Sequence, residues 1–306
     1  MGVHVGERCG CLECAAANVG VCYVTHMCIR LTKRREATCH AMPPNATPVP
    51  AASLGDPAEL ERQHVQQVYD AVAHQWHSTR YKAWPRVVDF VAALPPHSLI
   101  ADLGCGNGKI APHCRDAGHA VIGCDFSIEL LHIARSQLGL EAQAADVMAL
   151  PYRDESFDAA LSIAVLHHVS TPERRRLLVA ETLRVLRPGG RALFYAWAAE
   201  QSAGRSGHQF AAPDVFVPFH NRVDGPKATS GEAGRDAAPA VADLEALGGV
   251  FDSSKRAVVF QRYCHVYAAG ELRELVTAVG GASILDEYED TGNHCILVEK
   301  CEAPGG

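Results

Sequence analysis

The segment Ile100-Ala-Asp-Leu-Gly-Cys-Gly-Asn-Gly-Lys109 constrains this chain more than any other stretch of it. An apolar run, Leu99–Leu103, leads into it and an amphipathic stretch leaves it, so three glycines fall on one strand-to-helix turn. Such glycines let the backbone turn sharply and let a ligand come close to it. Elements alternate on both sides of this turn. Helical spacing begins at Glu59, through Leu60, His64, Val65, Val68, Tyr69 and Val72, and a second helix runs from Trp84–Pro85 to Leu94. Beyond the turn the pattern predicts a helix through Cys114–Ala117, a strand at His119–Cys124, a helix at Ile128–Gln137 and a short strand near Ala142–Ala145. A strand at Phe157–Ile163, a helix at Glu173–Val185 and a strand at Arg191–Trp197 follow. Strands alternating with helices make an α/β fold, a mostly parallel sheet with helices on both faces. Val258–Tyr267 and a helix at Glu271–Val279 come next, and strands at Ser283–Tyr288 and Cys295–Lys300 read as an antiparallel C-terminal hairpin on the sheet edge.

The alternation is confined to residues 59–301, interrupted by a long insertion at about 199–257. That insertion is rich in Gly, Ala, Ser and Asp; only Asp214–Phe219 has an ordered pattern, and the rest reads as partly flexible. Residues 1–58 read as an N-terminal extension, disordered or targeting. They hold six of the 12 cysteines, a basic cluster at Lys33, Arg34 and Arg35, and a Pro/Ala-rich run from Ala41 to Ala52. Cys9, Cys11 and Cys14 lack the paired half-sites of a structural zinc centre, so no metal is expected. The cysteine distribution suits a reducing compartment, with the cytoplasm or nucleus expected and organelle targeting by the extension left open. No apolar run approaches the roughly 20 residues that would span a bilayer. The formal net charge is −7, so a nucleic-acid substrate would need a local basic patch or a partner to meet it.

The glycine turn departs from a dinucleotide motif, which would place a third glycine where Lys109 stands. Asp102 precedes the first glycine by two residues, and a carboxylate there repels a diphosphate. It favours a ligand that carries an amino group and a sulfonium, which separates S-adenosylmethionine from a nicotinamide dinucleotide. Asp125 ends the next strand, 19 residues after Gly106, where a carboxylate suits two ribose hydroxyls. Asp146 follows the third strand and is placed for an adenine amino group, with Val147 as an apolar neighbour. The cofactor set is therefore Asp102, Gly104, Cys105, Gly106, Asn107, Gly108, Asp125, Phe126, Asp146, Val147 and Ile163.

Asp102-Leu-Gly-Cys-Gly-Asn-Gly108, Asp125, Asp146 and Leu186-Arg-Pro-Gly-Gly190 resemble the Rossmann-like class I methyltransferases. That resemblance implies a seven-stranded sheet with the cofactor at the carboxyl ends of its strands. Further segments narrow it: Val68 to Pro85, Ser162 to Thr171, Tyr195 to Gln201, Asp214 to Pro218, Arg262 to Tyr267, and Gly292-Asn293. Together they resemble the tRNA carboxymethyluridine methyltransferases in their stand-alone form. The resemblance implies methylation of the carboxylate of 5-carboxymethyluridine in the anticodon loop, at the tRNA wobble position. It also implies a small zinc-binding activator subunit as partner.

A carboxylate is already ionised at neutral pH, so the chemistry needs an anion holder and alignment, not a nucleophilic triad. Arg80, Tyr81, His167, His168, Arg262, Tyr263, His265 and Asn293 are the substrate-side candidates. Bland readings stand beside them: the two histidines could fill a loop, and alternate residues of Arg262–Tyr267 could merely pack. Trp84 and Trp197 read as core anchors. Arg174, Arg175, Arg176, Arg184, Arg187 and Arg191 form the best basic face for tRNA phosphates in so acidic a chain. A small-molecule methyltransferase and a catalytically silent binding homologue are the competing readings. The complete acidic set around the glycine turn argues against the silent one.

Overall fold

The computed structural model describes residues 46–79, 82–201, 210–223 and 240–302. The N-terminal cysteines, Lys33–Arg35, Arg80 and Tyr81 lie outside the described residues. In chain order the first elements are β1 (Thr47–Pro48), α1 (Pro57–Glu61), α2 (Gln67–Thr79) and α3 (Pro85–Ala92). Next come β2 (Leu99–Leu103), α4 (Ala111–Asp116), β3 (Ala120–Asp125), α5 (Ile128–Leu138), β4 (Glu141–Ala144) and β5 (Phe157–Ile163). Then follow α6 (Pro172–Val185), β6 (Leu186–Trp197), β7 (Asp214–Arg222), α7 (Val241–Ala246) and β8 (Val250–Asp252). The chain closes with β9 (Ala257–His265), α8 (Glu271–Val279), β10 (Ala282–Asp290) and β11 (Asn293–Lys300).

Seven strands form one sheet in the order β10-β11-β6-β5-β2-β3-β4. β6, β5, β2, β3 and β4 run parallel, and β10 and β11 form the antiparallel hairpin at the edge. Thr291 and Gly292 make its two-residue turn with φ of 52° and 75°, the primed-turn conformation that follows the twist of the strands. Both sheet faces are apolar, as helices on both sides demand. Ala192, Phe194 and Ala196 of β6 pack with Leu178, Val179 and Leu183 of α6. The intervening Leu193 and Tyr195 pack with Val87 and Val91 of α3 on the other face. Local signals start the helices: Ser127 caps α5 by accepting from the Leu130 amide, and Thr171 caps α6 ahead of Pro172.

Three features differ from the sequence pattern. The helix expected from Glu59 is broken by one π-turn, Arg62–Gln66, between α1 and α2. β6 starts five residues earlier than expected, and the Leu186–Gly190 turn becomes a register shift, from Phe157 opposite Leu186 to Ala159 opposite Arg191. The third is a second, antiparallel sheet in the order β1-β7-β9-β8. It is built from residues before Glu59, from described parts of the 199–257 insertion, and from the return strand. Within 1–58, Thr47 and Pro48 pair with Phe216 and Val215. β7 pairs with β9 along its whole length, Asp214 opposite His265 to Arg222 opposite Ala257. This small sheet carries Arg262 to the carboxyl ends of the large sheet's strands.

Candidate active site

The carboxyl ends of β2, β3 and β5 open on a cavity of about 470 Å3. The Gly104 and Cys105 amides donate to the Cys124 carbonyl at 2.8 and 2.9 Å, which folds the glycine turn back over β3. Gly104, Gly106 and Gly108 have φ of 77°, 54° and 76°, a region that other residues avoid. A Cβ on Gly104 would collide with Val165 Cγ2, whereas one on Gly106 would meet nothing nearer than Leu130 Cδ1 at 4.0 Å. Gly106 lines the cavity, so the missing side chain leaves room for a ligand.

Asp125 is held from two sides. Its Oδ2 accepts from the Gly106 amide at 2.8 Å and its Oδ1 from the Ser127 amide at 2.9 Å. Each oxygen keeps a lone pair for a ribose hydroxyl. Burial pushes the Asp125 pKa up, while those two amides pull it back. Asp146 is exposed at the rim, where its Oδ1 accepts from the Met148 amide at 2.9 Å. Phe126, Val147 and Ile163 supply apolar wall, and Cys105 and Asn107 complete the loop side. Asn107 Nδ2 donates to His77 Nδ1 at 3.0 Å, tying the turn to α2. Asp102 and Gly108 stand behind this wall. Asp102 is 2% exposed, and its Oδ2 has no partner among the described residues. Burial pushes its pKa up to about 7, against the pull of Lys109 and with a further push from Asp125. An unpaired buried carboxylate, a ribose-spaced carboxylate and a side-chain-free turn together fit an adenosyl sulfonium amino acid.

The opposite wall is built around Arg262, which is 5% exposed. Its guanidinium lies 5.5 Å from the ring centres of Trp76 and Phe219 and 5.7 Å from that of Trp197. Nη1 donates to Tyr69 Oη at 3.3 Å, and Nε is buried with no partner. No carboxylate pairs with it among the described residues. His168 Nδ1 faces the Tyr263 carbonyl at 2.9 Å, which can only accept, so Nδ1 carries the proton. His168 Nε2 therefore accepts from Tyr69 Oη at 2.9 Å. Burial and then the Arg262 charge push the His168 pKa down to about 3. His167, also driven down by burial, stacks on Trp197 at 4.8 Å and leaves Nδ1 unpaired. Asn293 lines the same cavity, its Oδ1 buried and unpaired.

Two substrate-side candidates go elsewhere. Tyr263 is fully buried and donates its hydroxyl to Asp214 and to the Ser170 carbonyl; only its backbone serves the site, by fixing His168. His265 is clamped between Asp214 Oδ1 at 2.9 Å and Glu271 Oε1 at 2.7 Å, a bridge between β9, β7 and α8. Neither lines the cavity. The basic run of α6 and the start of β6 is also committed. Arg174 pairs with buried Glu61 at 2.6 Å, Arg184 with Glu181 and Asp154 at 2.7 Å each, and Arg191 with Glu299 at 3.0 Å. Arg187 pairs with Asp158 and Arg176 with Glu173, while Arg175 is 6% exposed and faces inward. This face has few charges left for phosphates. Trp84 and Trp197, expected as core anchors, both line the cavity.

Sequence reading missed Tyr69, Trp76 and Glu61. The signal was present: Val65, Tyr69 and Trp76 fall on one helix face, and two of them have polar tips. An i+4 aromatic looks the same whether it packs or lines a cavity.

A family model described as "Methyltransferase domain" matches residues 101–194. Among solved structures, the Burkholderia thailandensis 1,6-didemethyltoxoflavin-N1-methyltransferase with bound S-adenosylhomocysteine superposes with TM-score 0.53. It is 18% identical and covers 84% of this chain and 95% of that one, a likeness of fold. Fold and site define a class I S-adenosylmethionine-dependent methyltransferase domain. The Schizosaccharomyces pombe tRNA (carboxymethyluridine(34)-5-O)-methyltransferase is 39% identical over 79% of this chain and 98% of its own length. The Arabidopsis thaliana protein of the same name is 31% identical over 81% and 83%. The chain belongs to the tRNA (carboxymethyluridine(34)-5-O)-methyltransferase family. It spans about half the length of the first curated relatives it matches; the Mus musculus protein of that name, ALKBH8, is 34% identical over 91% of this chain and 48% of its own.

Proposed function

We propose that this chain transfers a methyl group from S-adenosylmethionine to the carboxylate of 5-carboxymethyluridine at the tRNA wobble position. The observation that carries this reading is Arg262, a buried guanidinium facing the cofactor cavity with no counter-charge among the described residues. Burying an unpaired cation costs several kcal/mol, and the three aromatic rings within 6 Å offset only part of it. An arriving carboxylate would supply the rest. The cofactor, when bound, supplies an electrophilic methyl group on its sulfonium. Asp125 would hold the ribose, Asp146 the adenine amino group, and Asp102 the amino group of the methionine part. Phe126, Val147 and Ile163 would exclude water from the adenine and sulfonium faces. Arg262 would orient the substrate carboxylate, which needs no base. His167 and His168, neutral beside Arg262, would leave that charge to the substrate alone. Arg80 and Tyr81, outside the described residues, are further candidates for the substrate side.

The proposed partner is the small zinc-binding activator subunit; in support, among the described residues β4 pairs only with β3 and leaves its other edge open. The proposed compartment is the cytoplasm or nucleus. Replacing Arg262 with Met tests the reading. The apparent KM for tRNA should rise about 10- to 150-fold, the worth of a charged hydrogen bond, with cofactor affinity unchanged. An unchanged KM would remove its main support.

A further inference from the structure

Asn293 opens β11 directly opposite Trp197 of β6 and is 2% exposed. Its Nδ2 donates to the Asp290 carbonyl at 3.0 Å and to the Thr291 carbonyl at 3.2 Å. Carbonyl oxygens only accept, so the amide has one permitted orientation. The NH2 faces the turn, and Oδ1, turned away from it, is buried and unpaired in a residue that lines the cavity. The turn beneath is rigid. Gly292 has φ 75°, and Gln201 Nε2 donates to its carbonyl at 2.9 Å. A built acceptor left empty in this way costs about 1–3 kcal/mol, so its orientation calls for a donor from the ligand.

Across Trp197 the same cavity holds the complementary vacancy, the unpaired Nε–H of Arg262. The Trp197 ring lies 5.7 Å from that guanidinium. One wall therefore offers a cation with a free N–H, and its neighbour a fixed acceptor. The ligand that answers both has a carboxylate at one end and a planar N–H at the other. Given the function proposed above, on which this rests, we propose that Asn293 Oδ1 accepts the imide N3–H of the target uracil while Arg262 holds its C5 carboxymethyl group. Asn293 is then the specificity residue for the base. A cytosine, whose N3 is an acceptor, sets lone pair against lone pair there. An N3-methylated uracil has no proton to give.

The test uses the full chain with three anticodon stem-loops, carrying 5-carboxymethyluridine, its N3-methyl derivative, or 5-carboxymethylcytidine at the wobble position. With wild-type protein, kcat/KM should fall about 10- to 100-fold for both altered bases, the discrimination of one well-made base contact. In Asn293→Ala the parent substrate should fall by a similar factor, and the gap between parent and N3-methyl substrate should close to about threefold or less. Asn293→Ser is read the same way if the alanine variant loses cofactor affinity and hence its fold. Methylation of the N3-methyl substrate by wild type within about threefold of the parent overturns the inference without any variant. A gap that persists in a variant with normal cofactor affinity overturns it too. If wild type leaves the parent stem-loop unmethylated, the failure belongs to the proposed function instead.

Discussion

Replacing Asp102 with Asn should stabilise the cofactor-free protein and at the same time remove its affinity for the cofactor. Asp102 is 2% exposed, and its pKa is pushed from 3.8 to about 7 by burial. The folded state therefore holds this proton more tightly than the unfolded chain does. Its ionisation costs nothing below about pH 4, and the cost is complete above about pH 7. Each pH unit between is worth about 1.4 kcal/mol, so the full cost is about 4 kcal/mol. A neutral isostere escapes it. At pH 8 the cofactor-free Asp102→Asn protein should melt about 10 °C above wild type, at about 2–4 °C per kcal/mol for a domain of this size. At pH 4.5 about 1 kcal/mol of that cost remains, so the difference should shrink to about 2–4 °C. The cofactor reverses the sign, because its ammonium group favours the ionised carboxylate. Wild-type affinity should weaken as pH falls through 7, and Asp102→Asn should bind weakly at every pH. Differential scanning fluorimetry and titration calorimetry read both quantities. A variant no more stable than wild type at pH 8, or one that binds the cofactor as well as wild type, would refute the reasoning.

Gly104→Ala places a Cβ against Val165 Cγ2 at a positive φ; it should cost about 1–3 kcal/mol in denaturant melts and weaken cofactor binding. Tyr69→Phe removes the hydroxyl between Arg262 and His168, so KM for tRNA should rise while cofactor affinity, measured by calorimetry, holds. His265 has its pKa raised because the Asp214 and Glu271 carboxylates outweigh burial. Its stabilisation is complete below about pH 6.5 and lost as pH climbs through the raised value. His265→Gln should flatten that part of the stability profile and leave kcat within about twofold of wild type. Arg176→Gln and Arg187→Gln remove cations already paired with Glu173 and Asp158; the salt dependence of tRNA binding should not change, and a slope reduced by about one per residue would restore this arginine face as the RNA face.

The cofactor half of the site was legible because its constraints are local. Three positive-φ glycines, and carboxylates at successive strand ends, leave their mark in a window of some 45 residues, Asp102 to Asp146. The substrate half depends on pairings that no local pattern carries. Arg262 matters because β7 and β9 form a second sheet that carries it over the cavity, and the strand register is settled only when β7 finds its partner. Tyr263 and His265 had the residue types of a site, yet their side chains point to Asp214 and α8. Arg174 and Arg191 looked free because their partners lie far along the chain: Glu61 is 113 residues from Arg174, and Glu299 is 108 from Arg191. Charge is visible in a sequence; a neutralising partner a hundred residues away is not.

The most direct test is methyl transfer from labelled S-adenosylmethionine to tRNA that carries 5-carboxymethyluridine. The purified chain is used with and without a co-expressed activator subunit, and the nucleosides are analysed by mass spectrometry. Formation of 5-methoxycarbonylmethyluridine, lost in Arg262→Met and in Asp102→Asn, is the predicted result. Cofactor binding without any methylated wobble nucleoside, in either preparation, would contradict the assignment and leave a methyltransferase domain with another substrate.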